Sequence, residues 1–336
     1  MIYLLIFGLL FAAELLYFKV AKRYKIVDIP NGRSSHDYIT IRGGGIIFWF
    51  AAILYVAFNP SMRGVLLLFG LSMIAGVSFW DDITGVGFKT RLLFHLIAIT
   101  VAFYLTSVFG AFPWWAIVIA YVVFIGIVNA YNFMDGINGM TGMNSLVMLL
   151  SLQYVNYEIV RFVTPDFIWY AVIATLVFLF FNFRTKAKCF AGDVGAIGLG
   201  FWVVVLVLLL MIKTNNLIWI GLMMIYGVET VCTILHRIHR KENITKPHRL
   251  HLFQILVNER ELPHLTVSTA YAVAQAICSI LLISLYPVMG GWIFFVLLAF
   301  FVAVYCVKFK LIKISTEEVM NLKTKDVKTK DVRIAN

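Results

Sequence analysis

Two adjacent carboxylates close an apolar run, in Trp80-Asp81-Asp82-Ile83-Thr84-Gly85. Neighbouring anions repel and raise each other's pKa unless a cation lies close, so Asp81 and Asp82 suit metal binding or proton abstraction. The plainer alternative is that both solvate a helix end. A second cluster, NAYNFMDGINGM over 129–140, sets Asn129, Asn132, Asp135 and Asn138 beside two glycines. Glycine permits tight backbone geometry, and amide and carboxylate oxygens suit hard cations or nucleotide groups. A helix cap explains Asp135 or Asn138 singly, but not the set. The third, KAKCFAGDVG over 186–195, places Asp193 among small residues where an apolar helix begins. Such a start brings backbone N–H groups and a metal ligand to a phosphate, although Asp193 alone also reads as a cap. The fourth holds His236, Arg237, His239, Arg240, Lys246, Pro247, His248, Arg249, His251 and Gln254. Five of the seven histidines fall between 236 and 264. Histidine with Arg and Lys is a phosphate-binding composition, whereas a loop selected only for positive charge needs no histidine.

A fifth segment, DIPNGRSSHDYITIRGGG, has a turn at Pro30, Asn31 and Gly32, and Gly43 to Gly45 open the next helix. Its Arg33, Ser34, Ser35 and His36 suit an anionic lipid head group or simply a polar surface. Glu14 and Glu229 lie within apolar segments and are expected to face the interior as structural or site-bordering groups. Acids for a divalent cation, a base, and Lys, Arg and His for several phosphates are the equipment of phosphoryl transfer, where positioning and charge neutralisation supply most of the catalysis.

These segments interrupt a chain that is 62% hydrophobic and 13% charged over 336 residues, with a mean hydropathy of +0.91. That composition excludes a water-soluble globule. A helix crossing a hydrocarbon core roughly 30 Å thick needs roughly 20 apolar residues, and backbone groups in lipid allow only helices or closed barrels. The apolar runs do not alternate, so they predict an all-α, polytopic transmembrane helical bundle. Spans are expected at about 2–18, 43–59, 62–80, 91–108, 112–129, 140–157, 166–183, 195–212, 216–235, 265–287 and 289–307. The first reads as a retained helix, not a cleaved signal. Eleven crossings put the termini on opposite sides, and the excess of Lys and Arg marks the cytoplasmic loops. With the N-terminus outside and the C-terminus cytoplasmic, only Arg63, Arg161 and Lys213 fall outside. All the polar clusters then share the cytoplasmic face. The net charge of +11 is accounted for by this asymmetry and gives no reason to expect nucleic acid. Cys189, Cys232, Cys278 and Cys306 form no CxxC pair, so neither a disulfide nor a zinc site is expected. The domain reading is one transmembrane catalytic domain over 1–310 and a basic cytoplasmic tail over 311–336.

The ordered series DIPNGRSSH, FWDD, NAYNFMDGING, CFAGDVGA and PHRLHLFQ, from residue 28 to residue 254, resembles the motifs of the polyprenyl-phosphate N-acetylhexosamine-1-phosphate transferase family. Its relatives include the translocase that starts the peptidoglycan lipid cycle. The resemblance implies transfer of a sugar 1-phosphate from a UDP-N-acetylhexosamine to polyprenyl (undecaprenyl) phosphate, with Mg²⁺ and release of UMP, in a bacterial inner membrane; Mn²⁺ is an acceptable substitute and a homodimer is allowed. It implies that Asp81 or Asp82 deprotonates or orients the lipid phosphate. Asp193 binds Mg²⁺, with Asp82 as a second candidate ligand, and Asp135 and Asn132 line the nucleotide-diphosphate pocket. Phe190 resembles the aromatic that stacks on uracil, Asn182 reaches the uridine, and Lys89, His248, Arg249 and His251 hold phosphates, His251 among the catalytic groups. Two positions depart from the pattern. Asn138 stands where relatives often have Asp, so it can hydrogen-bond a uracil edge but not act as an anionic ligand. Ala196 stands where relatives often have Ser. PHRLHLFQ lacks three consecutive histidines and looks more like the branch that initiates O-antigen or capsule. Two other classes fit the composition: a transporter or lipid flippase using the acids as ion sites, and an inactive scaffold for glycan assembly. Transporters of this kind carry internal repeats and midplane polar breaks, and neither is found here.

Overall fold

A computed structural model describes residues 1–30, 35–244 and 248–311. Asn31, Gly32, Arg33, Ser34, Lys246, Pro247 and the expected tail beyond 311 lie outside the described residues.

The apolar runs fold into helices in the expected order. They are α1 (Ile2–Arg23), α2 (Ile47–Phe58, entered through a 3₁₀ turn at Gly44–Ile46), α3 (Met62–Thr84), α4 (Phe88–Leu105), α5 (Val108–Ala111), α6 (Trp114–Met134) and α7 (Met140–Glu158). There follow α8 (Pro165–Asn182), α9 (Gly192–Thr214), α10 (Met224–His239, entered through a 3₁₀ segment at Leu217–Met223), α11 (Leu252–Asn258), α12 (His264–Met289) and α13 (Trp292–Tyr305). Strands β1 (Val27–Asp28) and β2 (Thr40–Ile41) form a small antiparallel pair. The chain is an all-α polytopic membrane bundle. Large apolar side chains such as Leu16, Val122, Ile280 and Phe295 are exposed on its flanks, where lipid is the solvent they require.

Each of the eleven expected spans falls on a helical segment, but among the described residues nine are long and apolar enough to cross a membrane. The other two are Gly44–Phe58, which is short, and α7. The latter buries Thr141, Asn144, Ser145, Gln153 and Asn156, whose polarity offsets its apolar residues.

At the centre stands α9. Of its most apolar window 78% is buried, against 28% for α1, α6, α12 and α13, so its first turn opens inside the bundle. Neighbouring helices α2, α3, α6 and α7 pack around it. Small residues let backbones approach: a Cβ on Gly45 would stand on the Cα of Gly195, and one on Gly200 would meet the Tyr131 ring at 2.8 Å.

Candidate active site

Consecutive helical residues point about 100° apart, and this splits the two acids at the end of α3. Asp82 turns inward, its side chain fully buried. Its carboxylate accepts the N–H groups of Asp193 and Val194, each at 3.0 Å, and Arg42 Nε at 2.7 Å. The first N–H groups of a helix have no partner within it and carry the positive end of its dipole, so Asp82 is the anionic cap of α9. Asp81 turns the other way, accepting Val86 N at 2.5 Å and Arg91 Nη1 at 2.6 Å.

Asp193 sits between the two arginines. Its Oδ1 lies 3.5 Å from Arg42 Nη2 and its Oδ2 3.8 Å from Arg91 Nη1, and its carboxylate also meets the Asn132 side chain. Burial of Arg42 works against its charge, but Asp82, Asp193 and Asp28 prevail and hold its pKa above the usual guanidinium value. Arg42 is delivered by β2. Beyond it Gly44 N and Gly45 N donate to Phe190 O (2.9 Å) and Ala191 O (3.0 Å), while Phe190 N donates to Ile41 O (2.8 Å). Gly192 adopts φ +68°, and a Cβ there would lie 2.7 Å from Asp82 Oδ2. The segment linking Arg42 to Asp193 is therefore built by backbone bonds and glycine contacts.

A cavity of about 240 Å³ opens beside this cluster. It is lined by Asn132, Asp135, Asn138, Asn182, Phe190 and Asp193, six of the residues singled out by sequence. Asp28, Ser35, His36, Arg42, Gln254 and His264 complete its polar wall. Burial pushes the Asp135 carboxyl up to about 7; Thr141 opposes the shift, Asp193 and Asp82 add to it, and Arg42 opposes it. The Phe190 ring lies 4.7 Å from that of His36, which Asp28 Oδ2 (2.8 Å) and Tyr38 O (2.9 Å) hold in place. Asn138 donates from Nδ2 to Arg184 O (2.7 Å) and, more weakly, Thr185 O and the Tyr38 hydroxyl (3.2 Å each). Its buried Oδ1 has no partner among the described residues.

The profile of glycosyl transferase family 4 matches residues 64–211. A Bacillus subtilis (strain 168) protein named "Probable undecaprenyl-phosphate N-acetylglucosaminyl 1-phosphate transferase" is 27% identical over 258 residues, covering 71% of this chain and 72% of its own length. A phospho-N-acetylmuramoyl-pentapeptide-transferase of Clostridium botulinum (strain Eklund 17B / Type B) is 26% identical, over 57% of this chain and 65% of its own. One from Dictyoglomus turgidum (strain DSM 6724 / Z-1310) is 29% identical over 47% and 55%.

Over residues 64–211 the chain is similar to glycosyl transferase family 4.

The span matched by the family 4 profile contains Asp81, Asp82, Asp135 and Asp193 but stops short of Arg42 on one side and the histidine-rich loop on the other. Of that loop and its end, Gln254 and His264 line the cavity; His248, Arg249 and His251 do not. His251 caps α11 reciprocally with Gln254 and lies 3.4 Å from Glu229 Oε1. Burial, then His251, Arg237 and Lys308, push the His248 imidazole down to about 4, so it is neutral at pH 7. Lys89 is exposed in the first turn of α4 and lies off the cavity; Arg91, one half-turn on, makes the contact to the acids instead.

Asn182 is at the cavity wall but already engaged. Its Oδ1 accepts Gly139 N at 2.7 Å and its Nδ2 donates to Cys189 O at 2.9 Å, tying the Asp135 turn to the Asp193 segment. Asn182→Leu leaves both backbone groups buried and unpaired, at about 1–3 kcal/mol each. A clear fall in melting temperature in detergent is expected; an unchanged one removes the tie.

The donors around Asp193 fit a hard cation. Asp193, Asn132 and Asp135 all line the cavity, while no group of three or more His, Cys, Asp and Glu is placed to hold a metal by itself among the described residues. Mg²⁺ commonly uses one or two carboxylates and completes its octahedron with water and substrate phosphate. Asp82 fits the part less well, since α9 and Arg42 already engage its oxygens.

Proposed function

We propose that this chain transfers N-acetylhexosamine 1-phosphate from a UDP-sugar to polyprenyl phosphate, releasing UMP, at the cytoplasmic face of a bacterial inner membrane. The observation that carries the reading is Asp193, held between Arg42 and Arg91 at the wall of a polar cavity that Phe190 also lines. The names of the Bacillus and Clostridium relatives describe lipid-phosphate and phospho-sugar transfer, which supports the same reaction class. The positive-inside asymmetry supports the orientation.

In this reading the uracil lies along Phe190, and Asn138 Oδ1 accepts from its edge. Arg42 faces the diphosphate, with Asp135 and Asn132 beside it. Asp81, turned away from the cap position that Asp82 fills, orients the lipid phosphate with Arg91. A lipid phosphate oxygen forms a bond to the donor's β-phosphorus while the bond from that phosphorus to the α–β bridging oxygen breaks, and its electron pair leaves on UMP. Asp193, with Asn132 and Asp135 nearby, would hold Mg²⁺, and that cation would supply neutralisation of phosphate charge. Initiation of O-antigen, capsule or another envelope glycan is the pathway class that a lipid-linked N-acetylhexosamine serves.

Purified chain supplied with undecaprenyl phosphate, Mg²⁺ and a panel of UDP-N-acetylhexosamines is expected to release UMP with one donor, UDP-N-acetylglucosamine being the first to try. EDTA is expected to abolish release, and Mn²⁺ to restore it. Silence across the panel from folded protein overturns the reading.

A further inference from the structure

We propose that Arg42 and Arg91 compete with a divalent cation for Asp193, and swing from it to phosphate when cation and donor enter. This rests on the transferase reading above. Each guanidinium has one short anchor: Arg42 Nε to Asp82 at 2.7 Å, and Arg91 Nη1 to Asp81 at 2.6 Å. Each then leans on Asp193 from one side at 3.5 and 3.8 Å, beyond the 2.7–2.9 Å typical of a strong charged hydrogen bond. The anchors and the leaning contacts are therefore unequal. The two side chains, about one-third exposed, contact both oxygens of the Asp193 carboxylate.

The charge count gives this arrangement a consequence. Asp81, Asp82 and Asp193 carry more negative charge than the two arginines balance, so a cation is attracted, but it must displace guanidinium charge from Asp193. A metal alone then binds weakly. A diphosphate that arrives with it offers the released guanidinium arms a partner of suitable geometry, because arginine pairs phosphate through parallel N–H groups. Donor and metal thus favour each other's binding, and the arginines position Asp193 in the meantime.

Mn²⁺ titration of full-length, detergent-solubilised protein, read by loss of the free-ion paramagnetic resonance signal, tests this without turnover. Arg42→Gln and Arg91→Gln are each expected to tighten donor-free Mn²⁺ binding about tenfold, equivalent to about 1.4 kcal/mol. Saturating uridine diphosphate is expected to tighten Mn²⁺ in the wild type and much less in these variants. Arg42→Lys keeps a cation beside the acids and is expected to stay near wild type. Lys89→Gln makes the same charge change on an exposed side chain away from Asp193 and is also expected to leave Mn²⁺ affinity unchanged.

A merely structural role for the arginines predicts the opposite sign, since a loosened site binds metal more weakly. Unchanged or weaker binding in both Gln variants, or equal tightening in Lys89→Gln, overturns the proposal. If Arg42→Gln does not fold, Arg91→Gln decides, because its partner Asp81 is partly exposed. UMP release by the wild type on the same preparation keeps the two ideas apart. Turnover without tightening in the variants overturns the arginine role alone. Tightening in protein that releases no UMP upholds that role and overturns the transferase reading.

Discussion

Asp193→Asn is expected to lower UMP release about 100-fold or more, the scale seen when one preorganised electrostatic group is lost from a reacting centre, while the protein melts close to wild type. Its contacts to Arg42 and Arg91 are long, 3.5 and 3.8 Å, so the fold loses little with that charge. Asp82→Asn is expected to differ in kind. An Asn side chain there has one oxygen and one NH₂ where Asp82 now accepts from Asp193 N, Val194 N and Arg42 Nε. The amide sets donor against donor at one of them and leaves Arg42 short of its buried counter-ion. Removing one partner of a fully buried ion pair costs about 3–5 kcal/mol; the one-third exposure of Arg42 puts the cost below that range, but with the α9 N–H groups affected as well Asp82→Asn should lose turnover and melting temperature together. Parallel UMP-release rates and detergent melting curves separate the cases. Full turnover in Asp193→Asn sinks its assignment as the metal-facing acid, and normal melting in Asp82→Asn sinks the cap.

That difference between neighbours shows where sequence reading ends. The helices were legible because lipid-length apolar runs leave the chain few alternatives, and their order and positions match the structure. The acids were legible as a group, since carboxylates that close apolar runs demand an explanation. What separates Asp81 from Asp82 is the helical rotation relative to α9, which is 111 residues away in sequence and leaves no local mark. Nothing local in the sequence marks Arg42, because the contacts that make it central span 40 and 151 positions. The histidine-rich loop carried a strong compositional signal, yet its cavity-lining members are Gln254 and His264. Glu229 explains much of that: it accepts Leu252 N at 2.5 Å and the Tyr271 hydroxyl at 2.8 Å and lies beside His251, so the loop's imidazole serves an interior polar network. Composition reports that polar groups are present, and only packing decides which of them face the cavity.

Gly45→Ala and Gly195→Ala are expected to cost folded yield as well as activity. Gly45 lies in the 3₁₀ turn into α2 and Gly195 in the first turn of α9, and a methyl on either would stand on the backbone of the other. A Cβ on Gly45 would also come within 2.9 Å of Ala191 O, which already accepts Gly45 N at 3.0 Å. Backbone cannot rotate away as a flexible side chain can, so the helices must separate. Overpacking of this kind costs about 1–3 kcal/mol and occasionally more. Separation also moves the N–H groups of Asp193 and Val194 from Asp82 and draws Asp193 away from Arg42, so catalysis should fall further than stability. Gly76→Ala is the matched control: Gly76 lies in α3, the helix that carries both adjacent acids, and a Cβ there meets nothing within 4 Å. Size-exclusion yield, melting temperature and UMP release should all remain near wild type for Gly76→Ala and fall for the other two. Wild-type melting and turnover in Gly45→Ala would mean that the contact between α2 and α9 does not set the position of Asp193.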